Sequence, residues 1–108
     1  MDPKVAKFHE AFASRPFPYP HAWIEGHAAP GVETDGLALR DGHYTGHLRI
    51  NIPAELRETA GERYYVGIKL PAGWPEDELA DAGRAFYRQT LDEFETFLER
   101  RRAAVAPA

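Results

Sequence analysis

Near Trp74 the spacing of apolar residues changes: before it they alternate with polar ones, and after it they recur every three or four positions through one long run. Alternation marks half-buried strands, and the longer period marks an amphipathic helix. The pattern therefore predicts a small sheet followed by a helix that covers it.

The first residues predict a shorter helix. Asp2 can cap free backbone amides and Pro3 suits a first helical turn, after which Val5, Phe8 and Phe12 fall on one stripe. That helix should end by Arg15, because Pro16 disfavours helical geometry in the residue before it. Pro16, Pro18 and Pro20 alternate with Phe17 and Tyr19, which favours an extended polyproline-like arm, with a short strand at Trp23 and Ile24. Such an arm could be a ligand for a proline-reading module. Folding its aromatics back onto the domain's own core is the simpler outcome, since it avoids a large exposed apolar surface.

Asp41-Gly42 stands between two alternating runs, the pattern of a two-residue hairpin loop whose central residues need positive φ. This turn pairs Arg40 with His43, Leu39 with Tyr44, Ala38 with Thr45 and Leu37 with Gly46. Leu37 and Leu39 then share a face with Tyr44, Leu48, Ile50 and Ile52, so turn chemistry and apolar pattern agree. Pro53 to Gly61 reads as a helical turn, and Tyr64, Val66, Ile68 and Leu70 alternate as a third main strand. The cover is a helix starting near Pro75, with Glu76, Asp77 and Glu78 complementing its dipole. Leu79, Gly83, Phe86, Tyr87, Thr90, Leu91, Phe94, Phe97 and Leu98 fall within an arc of about 140°. Gly83 in that stripe costs about 1 kcal/mol relative to alanine, which points to close packing against a bulky neighbour. At roughly 25 residues and about 40 Å, the helix exceeds what a small sheet needs, so its surplus should meet a partner or a second copy of the chain.

The expected fold is α+β: an N-terminal helix, a small antiparallel β-meander of three or slightly more strands, and a long C-terminal amphipathic helix packed on one sheet face. Residues 1–102 form a single domain, and residues 103–108 a frayed tail. The length of 108 residues and the 44% apolar content suit one modest core. The net charge of −4 opposes a wholly basic binding surface. By segment the balance is −2 for residues 1–36, +1 for 37–70 and −3 for 71–108, so only the sheet region departs from acidity. With no cysteine, disulfides, thiolate nucleophiles and cysteine metal sites are excluded. The N-terminus lacks a leader pattern and no run approaches the roughly 20 apolar residues that span a bilayer. No membrane association and a cytoplasmic location are the expectation.

Catalytic motifs are missing. Ser14 is the only serine and has no nucleophile elbow around it, and neither a P-loop nor a dinucleotide fingerprint occurs. Histidines stand at 9, 21, 27, 43 and 47. His43 and His47 share a strand face but lie about 13 Å apart, too far to share an ion, and nothing brings His21 or His27 to a third ligand. The sequence therefore gives no catalytic residue, metal site or cofactor, and expects scattered surface histidines. Asp81, Glu95 and Glu99 lie on the polar side of the last helix and read as a solvated face.

On the outer sheet face, His43, Thr45, His47, Arg49 and Asn51 oppose the aliphatic residues, and the third strand adds Tyr65 and Lys69. His47, Arg49, Asn51, Tyr65 and Lys69 are the candidate binding residues, suited to phosphate, carboxylate or base edges. The segment Gly46-His47-Leu48-Arg49-Ile50-Asn51-Ile52-Pro53-Ala54-Glu55-Leu56-Arg57 resembles the strand and helix start of ribbon-helix-helix repressors and antitoxins. That resemblance implies a dimeric ribbon carrying His47, Arg49 and Asn51 into a major groove. The family has a second helix soon after the first, where this chain has the strand Tyr64 to Leu70.

The leading expectation is a small acidic, non-catalytic binding or accessory domain that engages a protein partner, of the immunity, inhibitor, antitoxin or chaperone kind. Nucleic-acid or anionic-ligand binding through the polar sheet face is the alternative. A small enzyme using histidine and carboxylate groups is the third.

Overall fold

Asp2 and Pro3 start the first helix as expected: the Asp2 carboxylate accepts from the Lys4 backbone N–H at 2.8 Å, and α1 runs Pro3–Ala13. The structure is a computed structural model that describes residues 2–105. The strands are β1 (Glu25–Ala29), β2 (Val32–Asp35), β3 (Ala38–Arg40), β4 (His43–Asn51) and β5 (Arg63–Pro71). A 3-10 turn at Ala54–Leu56 and the short α2 (Arg57–Ala60) link β4 to β5, and α3 spans Glu76–Val105.

β4 is the central strand. Along one edge it pairs antiparallel with β5 from His43↔Pro71 to Asn51↔Arg63. Its other edge is shared: β3 takes the first part through Arg40↔His43, Leu39↔Tyr44 and Ala38↔Thr45, and β1 follows with Glu25↔His47 and Gly26↔Gly46. The hairpin register is the expected one, with Asp41 at φ 50° and Gly42 at φ 74°. β2 pairs with β1, so the sheet has five strands and curls into a half-barrel. The extra hairpin escapes the apolar pattern because all of β2 is exposed and β1 buries only Gly26.

Beneath the sheet, Leu48, Ile50, Ile68 and Phe94 are buried in one core, with Phe86 and Phe97 packed against it. α3 has 30 residues, or about 45 Å. α1 lies alongside it, and Val5, Phe8 and Phe12 of α1 join Leu79, Phe94 and Leu98 of α3 in the core beneath the sheet. Gly83 makes this possible. A Cβ there would run into the Phe8 carbonyl oxygen and lie 2.9 Å from the Ala11 Cβ, so the bulky neighbour is the backbone of α1. The proline arm folds inward: the Tyr19 ring meets Phe94 edge-on at 4.9 Å, and the Tyr87 hydroxyl donates to the Pro16 carbonyl at 2.7 Å.

Three expectations need correction. Leu39 faces Tyr44 but stays 61% exposed, because three-residue β3 is an end strand whose main neighbours are β4 and β1. α3 continues through Val105, into the segment expected to fray; residues 106–108 lie outside the described residues. His9 is no surface histidine. It is 3% exposed, stacks on Trp23 at 4.8 Å, and its Nε2 accepts from the Leu37 N–H at 3.2 Å. Nδ1 must then carry the proton, and it has no partner among the described residues.

The Gly83 contact gives a first expectation. Gly83→Ala should destabilise the fold by about 1–3 kcal/mol through overpacking, although alanine is the better helix former. Urea unfolding decides it, and a stabilised variant would mean that α1 does not approach this closely.

Burial holds the His9 imidazole below its ordinary 6.5, against a smaller opposing pull from Asp35. Below 6.5 the unfolded chain therefore binds the proton first. Stability should fall as pH drops from that value, then level off once the folded imidazole is also protonated. This contribution, at most about 1.4 kcal/mol per pH unit, should vanish in His9→Gln when urea midpoints are followed from about pH 7 to pH 5.

Candidate functional site

The period of two along each strand brings polar residues from three neighbouring strands together on the outer face. Glu25 of β1 pairs with His47 of β4, and His27, two residues on from Glu25, pairs with Glu33 of β2. His27 Nε2 lies 2.5 Å from His47 Nδ1, so one ring donates and the other accepts. His47 Nε2 points the other way, 3.4 Å from Glu25 Oε2, and Arg49 stands 3.9 Å from Glu25 Oε1. The Tyr65 ring meets His47 edge-on at 5.5 Å. The Glu25 carboxyl is held below its ordinary value, first by its hydrogen bond with the Glu33 carboxyl group and then by the charges of Arg49, His47 and His27.

Of the five residues singled out from sequence, His47, Arg49 and Tyr65 stand together. Asn51 does not join them; it lies in a recess with Arg57, Glu62 and Arg63. Lys69 borders a hollow with His27, Arg40, Asp41 and Thr45, on the far side of His27 from His47 and Arg49 along β4. Sequence reasoning missed Glu25, His27 and Glu33. The histidine spacing was judged along one strand, whereas these groups meet across strands about 4.8 Å apart. The alternation of outward Glu25 and His27 with buried Ile24 and Gly26 was the available signal. With its guanidinium next to Glu25, Arg49 is partly neutralised as a phosphate ligand. β4 is also paired along both edges, so the two-chain ribbon implied by the repressor resemblance finds no edge on it.

A second feature lies along β5, which among the described residues pairs only with β4. The bonds Ile52 N–H to Glu62 O and Ala72 N–H to Gly42 O frame the ladder. By the alternation of an antiparallel pair, Tyr64, Val66, Ile68 and Leu70 bond to β4. The backbone groups of Arg63, Tyr65, Gly67 and Lys69 then point to the open edge and have no backbone partner among the described residues. Beneath this edge, β5 and α3 enclose two hollows. One of about 650 Å³ is lined by Tyr64, Asp92, Glu93, Phe97, Arg100 and Arg101. Another of about 410 Å³ is lined by Phe8, Ile68, Leu70, Trp74, Glu78 and Phe86, among others.

No family model, curated protein or solved structure matches the chain. Among the described residues no helix is long and apolar enough to cross a membrane.

Hydrogen exchange of the isolated chain should show the open edge directly. The amides of Tyr65, Gly67 and Lys69 should exchange fast, and those of Tyr64, Val66 and Ile68 slowly. Uniform protection along β5 would mean that something already occupies this edge.

Proposed function

We propose that the chain is a protein-binding domain that captures an extended segment of a partner by strand addition to β5. The observation that carries this reading is the nine-residue β5 with one edge unpaired among the described residues, above hollows that present Phe86, Trp74 and Phe97 between charged side chains. Strand addition takes its affinity from main-chain hydrogen bonds and its specificity from pockets that receive alternate side chains. Both ingredients lie side by side here. Every second residue of an added strand would point down towards α3, where Phe86 and Trp74 line one hollow and Phe97 the other. Glu78 lines the hollow of about 410 Å³, so a segment with a basic residue at that end suits it best. The acidity of the C-terminal third then acts in attracting such a segment.

The anionic-ligand reading has less support, because Arg49 is engaged by Glu25 and Lys69 lies apart from it. Selecting linear peptides from a random displayed library tests the strand-addition reading. Binders should carry alternating apolar residues, shift the resonances of β5 and α3, and slow amide exchange at Tyr65, Gly67 and Lys69. Gly67→Pro removes an N–H that faces away from β4 and should weaken binding by about tenfold or more. Peptides that perturb only the outer sheet face, or bind Gly67→Pro equally well, would refute the reading.

A further inference from the structure

The outer-face cluster is built differently from a solvated polar surface. Glu25, Glu33 and His47 each offer one ligand atom, and these atoms all lie within 4.8 Å of one another. Glu25 reaches both His47 and Arg49, and Glu33 comes to the same point from β2.

We propose that Glu25, Glu33 and His47 bind one divalent transition-metal ion of the zinc class, with His27 and Arg49 as positioning residues. The spacing fits. Bonds of about 2.0–2.1 Å in a tetrahedral site place ligand atoms about 3.3–3.4 Å apart, and His47 Nε2 already stands 3.4 Å from Glu25 Oε2. Glu33 is exposed on the short edge strand β2, so its carboxylate is free to swing the remaining distance.

The surrounding groups orient the donors. If His47 donates Nδ1–H to His27 Nε2, the lone pair on Nε2 points at the two carboxylates, which is how ligating imidazoles are usually held. Arg49 stands at Oε1 of Glu25 and leaves Oε2 facing His47. One nitrogen and two oxygen donors suit a borderline ion such as zinc better than soft copper(I). Access is open, since the cross-strand neighbour of His47 is Gly67, and a Cβ built there meets nothing within 4 Å. Three protein ligands leave the fourth position of a tetrahedral ion for solvent or a ligand of the partner.

The test is zinc titration calorimetry on the full chain at neutral pH, with cobalt(II) absorption as an independent readout of coordination. One ion per chain and a saturable cobalt band are expected. His47→Gln and Glu33→Gln should each weaken binding by about tenfold or more, and His27→Phe should weaken it through loss of orientation. His21→Ala and His43→Ala should leave it unchanged. Circular dichroism of each variant establishes that it is folded. Absence of saturable binding by either ion would overturn the proposal. So would binding that survives both His47→Gln and Glu33→Gln in folded chains, or that is lost in His21→Ala or His43→Ala.

Discussion

Leu48 and Ile50 are fully shielded from solvent on one face of β4 while His47 and Arg49 stand on the other, and this division depends on the strand being paired along both edges. Burial of each aliphatic side chain contributes about 1.5–3 kcal/mol. A slip of one residue would exchange the two faces, placing imidazole and guanidinium under α3. The register of β4 is thus fixed by the core. It fixes in turn what the outer face presents, because β1 and β5 are aligned to it residue by residue.

The same arrangement decides where the molecule remains unsatisfied. β4 has no free edge, and β5 inherits the whole of one. Arg63, Lys69 and Pro71 blunt that edge at its ends, as natural sheets do to resist aggregation, but Tyr65 to Gly67 keeps its backbone groups available. α3 packs closely on α1 at Gly83 and meets β5 through Tyr64, whose ring contacts Phe94 and Phe97. The hollows under the open edge lie on either side of this contact region. Binding along β5 and coordination on the outer face would therefore use different surfaces of one sheet, joined through the Arg49↔Tyr65 and His47↔Gly67 pairs.

Strong periodicity made most of this architecture legible. The stripe from Leu79 to Leu98, the Asp41-Gly42 turn and the alternation from Tyr64 to Leu70 each named an element and its buried face without knowledge of the others. The strands β1 and β2 were not legible, because an element that buries little leaves little apolar pattern to read. Their absence from the sequence reading concealed the meeting of His27 with His47 and the approach of Glu25 and Glu33. His47, Arg49 and Tyr65 could be placed on one face from the period of two alone. Asn51 and Lys69 share that face but lie at its opposite ends, a separation that only strand length and curl determine. The buried His9 followed a similar logic: it adjoins Phe8 on α1, and its depth depends on Trp23 and Leu37, which reach it from distant parts of the chain.

The most direct measurement is of cross-strand Hα–Hα nuclear Overhauser effects in the isotopically labelled chain. With β4 central and in this register, strong effects should join His47 to Gly67 on one side and Gly26 to Gly46 on the other. Contacts displaced by one residue on either side, or none between β1 and β4, would contradict it, since the face that carries Glu25, His27 and His47 would then not exist.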